Sequence, residues 1–170
     1  MHCPAPLEQR IANRPTMPDD TLYFEDFEAG QIREFGQYAV TEEEIIDFAR
    51  RYDPQPFHVD PEAAKHSIYG GLIGSGWMTC AIGMRLVCDG YLLRTASMGS
   101  PGVDNIRWKL PVRPGDVLRL RLTVLEVKPS QSKPDRGIIR TAWEVLNQKN
   151  ETVMTSEGMG MCRRRPSAAA

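Results

Sequence analysis

Long hydrophobic runs are absent from this sequence. No stretch of its 170 residues approaches the roughly 20 consecutive apolar residues that a membrane-spanning helix requires. The first residues include Pro4, Pro6, Pro15 and Pro18 and lack the run of about 7–15 apolar residues found in a secretory signal. We therefore expect a cytoplasmic protein that neither crosses nor binds a membrane.

Cysteine is scarce and lacks the spacing of a metal or redox motif. The four cysteines are Cys3, Cys80, Cys88 and Cys162, and no two of them are separated by two residues. Cys80 and Cys88 fall in one predicted helix, where they would lie about 12 Å apart, too far for a disulfide. We expect small buried hydrophobes in a reducing compartment and no metal site.

An excess of charge of one sign is also absent. The chain has 21 Lys and Arg against 22 Asp and Glu, a net charge of −1. This balance argues against a nucleic-acid-binding protein with a basic face. It conceals an asymmetry, because residues 1–90 hold 7 basic and 15 acidic side chains, whereas residues 91–170 hold 14 and 7.

The length favours one domain, since domains usually have roughly 100–200 residues. Hydrophobic residues at 41% and charged residues at 25% are typical of a globular protein, and no internal repeat or interdomain linker interrupts the chain. We place the domain at residues 19–163, between a flexible segment at 1–18 and a flexible tail at 164–170.

Three helices are predicted in the first half of the chain. Thr41 and Glu44 form a capping box that begins an amphipathic helix, which ends near Asp53 because Pro54 disfavours helical geometry before it. Asp60 and Pro61 begin a second, short helix. The third, residues 77–88, has Arg85 as its only charge, so we expect it to be buried on all sides.

Alternating apolar residues predict antiparallel strands, at about 32–40 and then at 106–110, 118–124, 138–146 and 152–161. A sheet with one polar face needs an apolar element to cover the other, and the third helix is the only candidate. We therefore predict a single α+β domain in which a curved antiparallel sheet wraps around one long central helix.

The segment from Asp53 to His58, Asp-Pro-Gln-Pro-Phe-His, contains two candidate catalytic side chains. Its two prolines fix φ at two positions and leave little freedom between a carboxylate and an imidazole. Two such groups can act as general base and general acid if both face one pocket. The spacing fits equally an Asp53 that caps a helix end and a His58 that packs at a strand edge.

This stretch resembles the signature of the MaoC-like acyl dehydratases, an Asp-x-Asn-Pro-x-His core followed by x-Asp, at residues 48–60. Residues 70–77 are similar to the small-residue start of that family's central helix, and the likeness extends from about Tyr23 to near Arg163. The resemblance implies a hotdog fold, a homodimer or higher homo-oligomer, and a role in fatty acid metabolism. It also implies hydration of trans-2-enoyl thioesters, usually on coenzyme A, or the reverse dehydration, without a cofactor.

Carried onto this sequence, the resemblance makes Asp53 the base and His58 the acid on one shared water. Ser75 and Gly76 would lie at the positive N-terminus of the central helix, where backbone N–H groups meet the thioester oxygen and glycine allows close approach. Gln55 replaces the family's usual Asn, and Ser75 replaces a frequent His. Trp77 either narrows the acyl channel or belongs to the core, and the core position is favoured.

Two other functions stay open. Other hotdog proteins hydrolyse acyl-CoA thioesters with a carboxylate, and Gln55, Ser75 and Trp77 also fit a non-catalytic acyl-thioester-binding protein. The basic residues of the predicted strands form ordinary solvated faces or meet the phosphates of CoA; they are Arg107, Lys109, Arg119, Arg121 and Arg140.

Overall fold

A computed structural model describes residues 20–166 of the chain. The helices and strands, in chain order, are β1 (Ile32–Ala39), α1 (Glu42–Tyr52), α2 (Pro56–Val59), α3 (Pro61–Lys65), α4 (Gly76–Gly90), β2 (Gly102–Trp108), β3 (Val117–Pro129), β4 (Arg136–Leu146) and β5 (Thr152–Arg163). Two short 3-10 helices span Phe24–Asp26 and Leu92–Arg94. No helix within the described residues is long and apolar enough to cross a membrane.

The five strands form one antiparallel sheet in the order β1-β3-β4-β5-β2. The alternation on β3 is as predicted, because Leu118, Leu120, Leu122 and Val124 are fully buried on its inner face. The outer face carries charge, with Arg119 and Arg121 both bound to the Glu34 carboxylate of β1. The α+β architecture, a sheet around a long helix, is therefore confirmed.

Helix α4 packs mainly on β1 and β3. Met78, Ile82, Leu86 and Val87 form its buried face. Gly36 allows α4 to pack this closely against β1. It adopts a φ of +73°, and a Cβ there would come within 2.2 Å of the Leu86 side chain. The sheet register between β1 and β3 shifts at this same point of β1.

The expectation that this helix is buried on all sides is wrong. Ala81 and Met84 are exposed on the face turned away from the sheet, because one sheet covers only one side of a helix. Cys80 and Cys88 are correspondingly half-buried, and only Cys162 is a buried hydrophobe. All three are free thiols, and Cys3 lies outside the described residues.

Local predictions for the first half of the chain need two corrections. Thr41 does accept a hydrogen bond from the Glu44 N–H, but the Glu44 carboxylate binds the Tyr38 hydroxyl, so the capping box is half formed. The segment Pro56–Val59 is a further short helix beyond the three predicted, because Pro56 supplies helical φ at the first position. Asp60 caps α3 as predicted, accepting hydrogen bonds from two backbone N–H groups.

Two corrections concern the second half. The strand predicted at 106–110 runs from Gly102 to Trp108. Arg164 and Arg165, assigned by sequence to the flexible tail, bind the carboxylates of Glu25 and Asp26. The predicted flexible segment at 1–18 and the last four residues of the tail lie outside the described residues.

The core makes a direct prediction about stability. Because Leu122 is fully buried on the inner face of β3, Leu122→Ala should reduce the free energy of unfolding by about 2–5 kcal/mol. Thr123→Ala, one residue along on the opposite face of β3, is the matched control and should change it much less. Urea titration of both variants measures the difference. Equal effects would contradict the assignment of the inner and outer faces.

Candidate active site

Asp53 lies where α1 ends, and its carboxylate is held from two sides. Its backbone N–H donates to the Ala49 carbonyl at 2.8 Å, closing the helix. The Gln55 side-chain amide donates to Oδ1 at 2.7 Å, and the Ser75 hydroxyl donates to Oδ2 at 2.7 Å. Gln55 and Ser75, which replace the family's usual Asn and a frequent His, thus orient the same carboxylate.

His58 is buried on α2, with one ring nitrogen fixed and the other turned toward Asp53. Its Nδ1 lies 2.7 Å from the Ile73 carbonyl oxygen. A carbonyl can only accept a hydrogen bond, so Nδ1 carries the hydrogen and Nε2 is the atom free to exchange a proton. Nε2 lies 3.4 Å from Asp53 Oδ2, which brings the predicted pair together.

Two successive turns bring the side chains of Asp53 and His58 together. The Gln55 N–H donates to the Asp53 carbonyl, and the His58 N–H donates to the Gln55 carbonyl, both at 2.8 Å. Pro54 and Pro56 fix φ between the hydrogen-bonded residues, so the turns lose little backbone entropy on folding. The carboxylate and the imidazole are therefore preorganised by local sequence.

The surroundings of Asp53 keep its carboxyl ionised. Burial alone would raise the pKa of Asp53, but the hydrogen bonds from Ser75 and Gln55 and the nearby His58 outweigh it, and the pKa lies below its ordinary value. The carboxylate is consequently charged at neutral pH and remains so well into the acid range.

Ser75 also begins α4. It is fully buried, and its Oγ accepts a hydrogen bond from the Trp77 N–H at 3.2 Å while donating to Asp53. Within the described part of the chain, no group accepts a hydrogen bond from the Gly76 N–H. That N–H is therefore a donor available at the positive end of the helix dipole, as the sequence predicted.

Gly76 also makes room for a side chain of β2. A Cβ at this position would lie 2.4 Å from the Trp108 ring, whose Nε1 donates to the Gly76 carbonyl at 2.9 Å. The close approach of a thioester at this glycine stays a prediction. Sequence reasoning missed this role of Trp108, although Trp108 stood on a predicted strand.

Trp77 is not a core residue, which overturns the favoured expectation. Its side chain is 58% exposed and meets Trp108 edge to face, with ring centroids 5.5 Å apart. Both indoles border an open pocket of about 460 Å³ that also contains Asp53 and His58. The position of Trp77 at this rim fits the alternative reading, in which it narrows a channel.

The arrangement can activate a water molecule. Asp53 Oδ2, which accepts a hydrogen bond, and His58 Nε2, which is the ring nitrogen free to exchange a proton, face the same pocket and can together bind one water. The Ile73 carbonyl, which sequence reasoning did not identify, holds the Nδ1 hydrogen and so turns Nε2 toward the pocket. Residues 20–166 contain no group of three His, Cys, Asp or Glu side chains that could hold a metal ion.

The hydrogen bond from the Ser75 hydroxyl should have a measurable effect on the pKa of Asp53. Ser75→Ala removes a hydrogen bond that lowers the Asp53 pKa, so that pKa should rise. Thr41→Ala is the control: it removes an equivalent N-cap from α1, at a similar cost of about 1 kcal/mol, without touching Asp53. Titration of the labelled Asp53 carboxyl carbon by NMR compares the two. A shift in both variants, or in neither, would contradict the role of Ser75.

Comparison with known proteins shows the family of this chain. The family model described as "MaoC like domain" matches residues 26–143. An (R)-specific enoyl-CoA hydratase from Rhodospirillum rubrum is 27% identical over 145 residues, covering 80% of this chain and 94% of that protein. The crystal structure of a MaoC-like dehydratase from Rhodospirillum rubrum is 42% identical, with a TM-score of 0.80, and covers 86% of this chain and 99% of its own.

A more distant structure identifies the fold by name. A conserved hypothetical protein from Mycobacterium tuberculosis with a double hotdog fold superposes with a TM-score of 0.73 at 14% identity, covering 89% of this chain and 47% of its own. At that identity the likeness concerns the fold alone. The family model, in contrast, matches more than half of the sequence. This hotdog chain therefore belongs to the MaoC-like dehydratase family.

Proposed function

We propose that this protein adds water reversibly to trans-2-enoyl thioesters, with coenzyme A as the carrier. The observation that supports this most directly is the 3.4 Å separation of Asp53 Oδ2 and His58 Nε2 at the wall of one pocket. The family and the (R)-specific enoyl-CoA hydratase relative point to the same reaction. The proposed hydration needs no metal or redox cofactor, because water and a proton are its only co-reactants.

In the proposed reaction, one water lies between Asp53 and a His58 protonated at Nε2. Asp53 removes one proton from the water as its oxygen attacks C3 of the enoyl group, and His58 delivers its Nε2 proton to C2. The proton on Asp53 then returns to His58 Nε2. Hydroxyl and hydrogen are thus added across the double bond, and the enzyme ends as it began.

The charge that develops during attack needs a stabilising group. As C3 is attacked, negative charge moves to the thioester oxygen, and the Gly76 N–H at the start of α4 is the donor placed to receive it. The helix dipole adds a favourable positive potential at the same point. We propose that Trp77 and Trp108, at the rim of the pocket, confine the substrate near this donor.

We also propose that the chain acts as a homodimer. Strand β2 is an edge of the sheet, and it exposes large apolar side chains, including Val103 at 51% and Trp108 at 48%. An unpaired edge with such side chains is a site where a second strand can add. A second copy of β2 would cover both the open backbone and this apolar surface.

The structure separates the basic residues that were candidates for CoA phosphates. Arg119 and Arg121 are paired with Glu34, and Arg140 is paired with Glu157. Lys109 borders the active-site pocket and forms no ion pair with any residue in the described range. Arg107 also forms no ion pair with any residue in that range, but it does not line this pocket. We therefore propose Lys109 as the phosphate contact.

Removal of the base tests the proposed function. Asp53→Asn keeps the shape of the side chain but not its charge, so kcat/KM for hydration of crotonyl-CoA should fall by about 10²–10⁴-fold. Asp47→Asn, an exposed change on the same helix, is the control and should retain activity. The loss of enoyl absorbance measures hydration. Unchanged turnover by Asp53→Asn would contradict the proposal, and release of free CoA thiol by the wild type would indicate a thioesterase.

The phosphate contact makes a separate prediction. Lys109→Glu should raise KM for the CoA ester by about 3- to 10-fold and leave kcat nearly unchanged, because the charge acts on binding and not on chemistry. Lys133→Glu, in the exposed β3–β4 loop, introduces the same charge change away from the pocket. Steady-state kinetics at low ionic strength compare the two. An equal rise in KM for both would show an effect of net charge alone.

A further inference from the structure

Arg113 is a half-buried arginine that lies next to the active-site pocket without lining it. Its neighbour Val112 is buried at the pocket wall. The Arg113 guanidinium forms no ion pair with any residue in the range 20–166, and its Nη2 donates a hydrogen bond to the Tyr69 carbonyl at 2.6 Å. The charged group therefore binds backbone, and it reaches neither a carboxylate nor the pocket.

The turn that carries Arg113 is itself fixed by hydrogen bonds. The Arg113 N–H donates to Asp116 Oδ2 at 2.7 Å, and the Asp116 N–H donates to the Arg113 carbonyl at 3.1 Å. The other carboxylate oxygen of Asp116 accepts a hydrogen bond at 3.0 Å from the side-chain amide of Gln148, between β4 and β5. The guanidinium thus extends from a well-anchored position.

The segment that receives this hydrogen bond has few others. Residues 67–72 follow α3 and include Gly70 and Gly71, which both have positive φ. Apart from bonds to Ala64 of α3, the bond from Arg113 is the only hydrogen bond that joins residues 67–72 to another part of the described chain. Because glycine loses much backbone entropy when it is fixed, a charge-assisted hydrogen bond matters here.

The same segment leads directly to the peptide unit that orients His58. In that unit the Ile73 carbonyl lies 2.7 Å from His58 Nδ1, and the Gly74 N–H donates to the Val112 carbonyl at 2.8 Å. Val112 and Arg113 are consecutive residues. One short stretch of backbone therefore holds the segment at Tyr69 through Arg113 and at Gly74 through Val112.

A second contact connects the segment to the imidazole. The Tyr69 ring packs against Phe57 with ring centroids 5.3 Å apart, and the Phe57 ring meets the His58 ring edge to face at 4.5 Å. Movement of Tyr69 would therefore disturb His58 on two sides, at the Ile73 carbonyl and at the Phe57 ring. The hydrogen bond from Arg113 opposes that movement.

We propose that Arg113 is a positioning residue for His58. Its bond to the Tyr69 carbonyl keeps the backbone of residues 67–74 in the conformation that holds the hydrogen on Nδ1 and leaves Nε2 free to exchange a proton. The inference rests on the proposed function for its effect on turnover. Because Arg113 does not line the pocket, its loss should affect proton transfer and leave substrate binding nearly unchanged.

Steady-state kinetics test the inference. Arg113→Met removes the donor and keeps most of the aliphatic chain, so kcat for hydration of crotonyl-CoA should fall by about 10- to 100-fold while KM changes by less than about twofold. Arg94→Met is the matched control, because Arg94 also donates to a backbone carbonyl, that of Gly90, and does not line the pocket. The control should retain activity. A higher KM with unchanged kcat for Arg113→Met would indicate a direct substrate contact and overturn the inference.

Two forms of rescue distinguish positioning from general destabilisation. Arg113→Lys keeps a charged donor on a long side chain and should recover part of the lost kcat. Arg113→Ala should recover kcat in a saturable manner when guanidinium ion is added at low concentration, with sodium chloride at the same ionic strength as the control. Recovery by neither route would overturn the inference.

The state of the imidazole gives a readout that does not require turnover. With His58 neutral, nitrogen NMR of the labelled ring should find the hydrogen on Nδ1 in the wild type and in Arg94→Met, and on both nitrogens in exchange in Arg113→Met. If the wild type hydrates no enoyl-CoA, the proposed function fails, and this measurement alone then decides on Arg113. A hydrogen that stays on Nδ1 in Arg113→Met would overturn the inference and leave the proposed hydration standing.

Discussion

The Asp53 carboxylate is the group on which the active-site region depends. It accepts hydrogen bonds from Gln55 and Ser75 and faces His58, so it joins the end of α1, the start of α2 and the N-terminus of α4. These contacts favour the charged form and fix its orientation at the same time. Three helices are thereby held in one geometry at the site.

The packing of α4 against the sheet is the second constraint on the active site. The helix buries one face on β1 and β3, and its other face stays exposed beside β2. The same packing places the Gly76 N–H at the wall of the active-site pocket.

Periodicity predicted the elements well, because it depends on which residues must be buried. The alternation on β3 and the cap at Asp60 were predicted from the sequence pattern, whereas the approach of Asp53 and His58 was implied by the resemblance to the MaoC-like dehydratases. Periodicity does not say which neighbour provides the burial. The exposure of Trp77 and the close contact between Gly76 and Trp108 depend on where distant strands place their side chains, and a single sequence does not contain that information.

The central claim is that Asp53 and His58 act on one water from one side of the substrate. The most direct test is hydration of crotonyl-CoA in heavy water, followed by NMR determination of the configuration at C2 and C3 of the product. Because Oδ2 and Nε2 lie 3.4 Å apart on the same wall, we expect one deuterium at C2, added to the face that receives the hydroxyl group. Addition to opposite faces, or a mixture of the two, would contradict it.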